Sequence, residues 1–130
     1  MEAYPEVLIW IIGGHSLGGV MAAKYVYSEP TSFSGLILLA SYPNDSNNLS
    51  EFTIPVITIY GSLDGVLSVE IPETLSLLPS MSTTMVEIVG GNHANFGSYG
   101  DQKGDNQASI PRATQQFITI DQITQFIETI

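Results

Sequence analysis

Val7–Ile12 is an unbroken apolar run rich in β-branched residues, and it halts at Gly13-Gly14. Short runs of this kind bounded by glycine predict strands buried on both faces of a sheet. Three more follow: Gly35–Ala40, Pro55–Tyr60 halted by Gly61, and Thr83–Val89 halted by Gly90-Gly91. Between them the period changes. Leu17, Val20, Met21, Lys24 and Tyr25 recur at helical spacing within Leu17–Tyr27, and Pro30 stands past the end. A second helix is predicted within Ser68–Leu78, where Pro72 restricts its start. A third is predicted over Pro111–Ile130, with Pro111 in its first turn and Phe117, Ile120, Ile123, Phe126, Ile127 and Ile130 on one apolar stripe. Ser41–Ser50 is rich in Ser, Asn, Asp and Pro and reads as a loop, and the glycine-rich Asn92–Ser109 reads as irregular. Strands alternating with helices predict an α/β fold, a mostly parallel sheet of about four strands with flanking helices.

Composition sets the limits of this picture. The 130 residues fit one domain, and 44% apolar residues can form a real core. No apolar run approaches the roughly 20 residues of a membrane span. With no Cys, disulfides and Cys-ligated zinc are excluded. The charge balance, 3 Lys+Arg against 13 Asp+Glu, gives a net charge of −10, which disfavours nucleic acid and anionic membranes as partners. The acids are dispersed along the chain and read as an acidic surface. No positive charge precedes Lys24, so no secretory leader is expected and the location defaults to the cytoplasm.

In open α/β sheets chemistry collects at the carboxyl ends of the strands, and three of those ends carry unusual residues. Gly13-Gly14-His15-Ser16-Leu17-Gly18-Gly19 links a strand to a helix, with Gly14 and Gly18 two positions either side of Ser16. Small residues there permit a very sharp turn that lifts the serine hydroxyl to the top of the sheet. A phosphate cradle is the competing reading. The Walker pattern needs Lys and then Ser or Thr after Gly18, where Gly19-Val20 stand, and no glycines fall two apart as a dinucleotide fingerprint needs. The second end is Gly61-Ser62-Leu63-Asp64-Gly65, the third Gly90-Gly91-Asn92-His93-Ala94. Alone, Asp64 is a turn former and His93 a loop histidine; His15, inside the tight turn, reads as a packing residue. Together they change meaning. A serine hydroxyl needs an adjacent base, and the base needs a carboxylate to hold its tautomer. Ser16, Asp64 and His93 supply that set in the chain order of an α/β-hydrolase.

The stretches Ile9–Gly19, Ile57–Gly65 and Val89–Arg112 resemble the C-terminal half of an α/β-hydrolase, in the small alpha/beta hydrolase family related to dienelactone hydrolases. The run Gly91-Asn92-His93-Ala94-Asn95-Phe96-Gly97-Ser98-Tyr99-Gly100, followed by Gln102 and Gly104-Asp105, carries much of the likeness. The resemblance implies Ser16 as nucleophile, His93 as base and Asp64 as acid, on an elbow of Gly14, His15 and Gly18. Dienelactone hydrolases proper use Cys, so with Ser here that activity is not carried over. One oxyanion donor is expected from the Leu17 N–H, directly after the nucleophile.

Only 15 residues precede Ser16, so the resemblance implies that the family's first four strands and the loop with the second oxyanion donor are expected to have no counterpart here. The expected protein is a truncated domain over residues 1–130, a serine hydrolase of an ester or related acyl substrate with impaired activity. The alternative is a non-catalytic remnant or split-protein partner. In either case Val7–Ile12 becomes an apolar sheet edge, a surface for self-association. Phe96 and Tyr99 are candidates to line an acyl pocket. No metal and no organic cofactor is expected.

Overall fold

Parallel neighbours in a sheet cannot be joined by a tight hairpin; each needs a crossover, usually a helix. The chain supplies them in turn. In the computed structural model, which describes residues 3–67 and 71–130, the elements are β1 (Ile11–His15), α1 (Leu17–Ser28), β2 (Gly35–Leu39), β3 (Val56–Gly61), α2 (Ile71–Leu75), β4 (Thr83–Ile88) and α3 (Arg112–Ile127). The four strands lie in the order β1-β2-β3-β4, and every neighbouring pair is parallel. The β2-to-β3 crossover is irregular, with a single 3-10 turn at Asp45–Asn47.

Alternation along the strands divides the core in two. Leu36, Leu38 and Val56 face Ala22, Ala23 and Val26 of α1, with Leu49, Ile54 and Leu78 filling the same side. Ile57, Ile59 and Ile88 face Phe126 of α3, with Ile37, Leu39, Ile118 and Ile123 packed around them. Both faces are covered at the central strands β2 and β3, which read as continuous apolar runs for that reason. β1 is only half-buried and β4 leaves half of its residues exposed, contrary to the expectation of strands buried on both faces.

β1 differs from its expected span. It runs over Ile11–His15, so Gly13 and Gly14 lie inside the strand rather than ending it. A Cβ on Gly13 would stand 2.8 Å from Ile37 Cβ, and one on Gly14 would stand 2.3 Å from the Gly18 carbonyl carbon. These glycines mark close approach of neighbouring backbones, a second meaning of glycine in a strand. The expected edge at Val7–Ile12 therefore lies at Ile11–His15, paired among the described residues only with β2. Upstream, Trp10 C=O still accepts the Ser34 N–H at 2.7 Å, while Leu8 stands 89% exposed. The other strand boundaries shift by one residue at one or both ends. The expected second helix appears as the short α2; residues 68–70, where it was also expected, lie outside the described residues.

Both long helices bury faces other than the ones their large apolar residues suggest. α1 packs through Gly19, Ala22, Ala23 and Val26, and leaves Leu17, Met21 and Tyr25 exposed. Small residues let the helix axis approach the sheet closely behind Ser16. α3 buries Gln115, Thr119 and Phe126, while Phe117 and Ile120 are 72% and 64% exposed and Ile127 is also exposed. The single stripe expected for α3 is thus split. Ile123, Phe126 and Ile130 pack on the core, and the other three face outward.

Candidate active site

β1, β3 and β4 deliver Ser16, Asp64 and His93 to the same edge of the sheet. Ser16 sits between β1 and α1 with φ 53° and ψ −124°, a conformation that costs a non-glycine residue about 1–3 kcal/mol. Its surroundings hold it there. The Ser16 N–H donates to Leu39 C=O at 2.9 Å, and its own C=O accepts from Gly19 N–H at 3.0 Å and from the Ser41 hydroxyl at 2.6 Å. The steric demand of the turn falls on Gly14 and Gly19, since a Cβ on Gly19 would stand 2.5 Å from Ser41 Cβ. A Cβ on Gly18 meets nothing within 4 Å, so the expected need for a small side chain at Gly18 is not present.

Asp64 is fixed by its own turn. Its N–H donates to Gly61 C=O at 3.1 Å, and its Oδ1 accepts the N–H groups of Val66 at 2.8 Å and Leu67 at 2.9 Å. That leaves Oδ2 free for the His93 Nδ1–H, at 2.8 Å. Burial pushes the Asp64 carboxyl up, but the bond from His93 and those from Leu67 and Val66 outweigh it and hold the group below its ordinary value. The side chains of His93 and Asp64 are 2% and 4% exposed, so the pair is shielded from water.

With Nδ1 donating to Asp64, His93 Nε2 is left as an acceptor, and the Ser16 hydroxyl lies 2.9 Å from it. Ser16, His93 and Asp64 thus form one unbroken hydrogen-bonded line. Ser16 and His93 open onto a cleft of about 230 Å³ walled by Leu17, Val20, Tyr42, Val66 and Leu67. Ala40, held at φ 46°, forms its floor beside Ser16. Leu17 N–H is the first of α1, where helix N–H groups lack intrahelical partners and the dipole favours negative charge.

Phe96 and Tyr99 are not among the walls of this cleft. Phe96 packs in the core beneath α3 and against the His15 ring, and the Tyr99 hydroxyl hydrogen-bonds His15 Nδ1. His15 Nε2 in turn lies 2.9 Å from the His93 C=O. A carbonyl only accepts, so the His15 proton sits on Nε2 and Tyr99 donates to Nδ1. Burial lowers the His15 pKa from its ordinary value, against the opposing effect of the His93 carbonyl bond.

Three residues with no role in the sequence reading complete the surroundings. The Gln115 side chain, fully buried, accepts from Asn92 N–H at 3.1 Å and donates to Asn92 C=O at 2.8 Å. The Asn92 side chain donates to Asn106 C=O at 2.8 Å and accepts from Asn95 N–H at 3.0 Å. Asp105 accepts backbone N–H groups from both the Asp64 and His93 turns. A larger polar hollow of about 520 Å³ lies on this side of the base loop, between Asn92, Asp101 and Asp105. It includes neither Ser16 nor His93. Among the described residues, no group of three His, Cys, Asp or Glu side chains is placed to hold a metal ion.

A model of the alpha/beta hydrolase family matches residues 1–117, which takes in all four strands and every residue of the line from Ser16 to Asp64. No curated protein matches the chain.

Proposed function

Since the chain belongs to the alpha/beta hydrolase family, we propose that it is a serine hydrolase of an ester or related acyl substrate. Ser16 is its nucleophile, His93 its base and Asp64 the orienting acid. The observation that carries this reading is the pair of distances on His93: 2.9 Å from Nε2 to Ser16 Oγ and 2.8 Å from Nδ1 to Asp64 Oδ2.

The chemistry follows from the tautomer. Ser16 Oγ attacks the carbonyl carbon as its proton passes to His93 Nε2. The carbonyl π bond becomes an oxyanion, to which the Leu17 N–H supplies a hydrogen bond. The imidazolium, stabilised by Asp64, returns the proton to the leaving alkoxide as the tetrahedral adduct collapses to an acyl-serine. Water then repeats the sequence: His93 takes its proton, the acyl group leaves as the acid, and Ser16 is regenerated. A second oxyanion donor is worth about 100–1,000-fold in rate. In this proposal it comes from a segment paired along the open side of β1, next to the Ser16 turn.

Labelling with a fluorophosphonate probe tests the reading. The expected result is a single adduct on Ser16 that disappears in Ser16→Ala. Labelling that persists in that variant overturns it.

The open β1 edge supports a second reading, a hydrolase-like chain without catalysis that associates through that strand. Among the described residues, uncharged Ile11–His15 is paired on one side only, and Leu8, Ile9 and Leu17 are exposed apolar residues along the same stretch of chain. It predicts dimers by light scattering and no probe adduct at any concentration. A labelled monomer overturns it.

A further inference from the structure

We propose that Asp105 is a positioning residue, a clamp that ties the acid loop to the base loop and thereby sets the Asp64–His93 hydrogen bond. The inference rests on the catalytic reading above and extends it to a side chain that touches none of the reacting atoms.

β3 and β4 are held in register by their ladder only as far as Gly61 and Ile88. Asp64 and His93 lie beyond that point, on separate loops. The loops approach closely at their bases: a Cβ on Gly61 would stand 2.4 Å from the Gly91 carbonyl carbon, and Leu63 N–H donates to Gly91 C=O at 2.8 Å. At the level of the functional side chains the tie is Asp105. Its Oδ1 accepts Gly65 N–H at 3.0 Å and His93 N–H at 3.2 Å, and its Oδ2 accepts Ala94 N–H at 2.9 Å. Its Oδ1 also accepts Asn106 N–H at 3.0 Å. Gly65 follows Asp64 directly, and His93 is the base itself. One carboxylate therefore holds a peptide of each partner.

The clamp is built. Four backbone N–H groups converge on this carboxylate, three on Oδ1 and one on Oδ2. The loop that carries Asp105 is fastened from the base side, by Asn92 Nδ2–H to Asn106 C=O at 2.8 Å and by Ser109 N–H to Gly90 C=O at 2.9 Å. Gly65 and the Asp105 loop touch, since a Cβ on Gly65 would stand 2.5 Å from Gly104 O. The opposite side of the His93 residue is held as well, its C=O by His15 Nε2–H at 2.9 Å. With N–H and C=O both fixed, the imidazole keeps its place between Asp64 and Ser16.

Asp105→Asn is the decisive variant, because it keeps the shape and turns one acceptor oxygen into an N–H donor that must face a backbone N–H. The probe reaction at Ser16 should slow by about 100-fold, the effect of a displacement of about 1 Å in a catalytic constellation. For a chromogenic acetate ester, kcat should fall with KM little changed. The downfield proton resonance of His93 Nδ1–H, which reports the bond to Asp64, should be lost or broadened while circular dichroism stays native. A folded Asp105→Asn protein with that resonance and the labelling rate unchanged overturns the proposal.

Amide exchange of the unaltered protein gives a readout that needs no variant to fold. The Gly65, His93 and Ala94 amides should be protected although all three sit on loops; free exchange overturns the clamp. If Ser16 of the unaltered protein does not label at all, the hydrolase reading fails. The resonance and the protected amides still report the clamp in that case.

Discussion

His15 Nε2–H donates to the backbone carbonyl of His93 at 2.9 Å, so the residue beside the proposed nucleophile carries part of the support of the proposed base. The two rings lie with centroids 4.8 Å apart, tilted by 51°. Proton placement decides whether this support exists. In the neutral ring, hydrogen on Nε2 and a lone pair on Nδ1 satisfy both the His93 carbonyl and the Tyr99 hydroxyl.

Burial favours the neutral form of His15 and lowers its pKa, although the bond to the His93 carbonyl opposes the shift. The sign follows. Above the ordinary value of 6.5 both folded and unfolded states hold the ring neutral, and the full stability is present. As pH falls below 6.5 the unfolded chain takes up a proton that the folded chain resists, and stability declines until the lowered folded value is passed. Thermal melts between pH 7.5 and 5 should show Tm falling on the acid side. His15→Gln should flatten that slope, at a cost of about 0.5–1.5 kcal/mol at pH 7.5 from the altered bond to His93. An unchanged slope in the variant would place the titration elsewhere.

Asp64 titrates with the same sign at a lower pH. Its folded pKa lies below 3.8, so its contribution is complete above that value and is lost as pH falls through the depressed one. Asp64→Asn should remove this acid-side term. It should also slow the probe reaction at Ser16 by about 10⁴-fold, since an amide in this place no longer selects the Nδ1–H tautomer of its histidine. Labelling rates at pH 7.5 for the two proteins make the comparison; a fall of less than tenfold would remove Asp64 from the proposed machinery.

The elbow glycines separate under alanine substitution. Gly14→Ala places a Cβ 2.3 Å from the Gly18 carbonyl carbon and 2.6 Å from Gly19 N, both backbone atoms that cannot rotate away. Overpacking of that kind costs about 1–3 kcal/mol or more. Gly18→Ala meets open space within α1 and exchanges glycine for a better helix former, a gain of about 0.5–1 kcal/mol. Chemical denaturation of the two variants should give shifts of opposite sign, although both glycines belong to the same sequence motif.

That contrast shows what the sequence carried. The central strands were legible because both of their faces are buried, which leaves runs such as Val56–Gly61 with few polar interruptions. The candidate site was legible because parallel strands bring Ser16, Asp64 and His93 to the same end whatever the details of packing. Helix faces were not legible. α1 packs through Gly19, Ala22, Ala23 and Val26, residues whose small size rather than hydrophobicity brings the helix against the sheet. Asp105 stood out in the sequence only as part of the family likeness and with no role, because its partners at Gly65, His93 and Ala94 are backbone N–H groups that nearly every residue possesses.

The rotation of α3 is the sharpest departure from its sequence pattern, and Gln115 accounts for it. A buried primary amide needs partners, and the Asn92 peptide offers both a donor and an acceptor to one side chain. Turning Gln115 toward Asn92 carries Thr119 and Phe126 inward on the same face and sends Phe117 and Ile120 out to solvent. Gln115→Leu should therefore destabilise despite adding an apolar residue at a core position, because it leaves the Asn92 N–H and C=O buried and unpaired, about 1–3 kcal/mol for each group. Phe117→Ser and Ile120→Gln, on the stripe that looks like core in the sequence, should shift stability by no more than about 0.5 kcal/mol. Urea midpoints for the three variants decide between the two faces: a large loss in Phe117→Ser with little change in Gln115→Leu would restore the stripe and overturn the observed rotation.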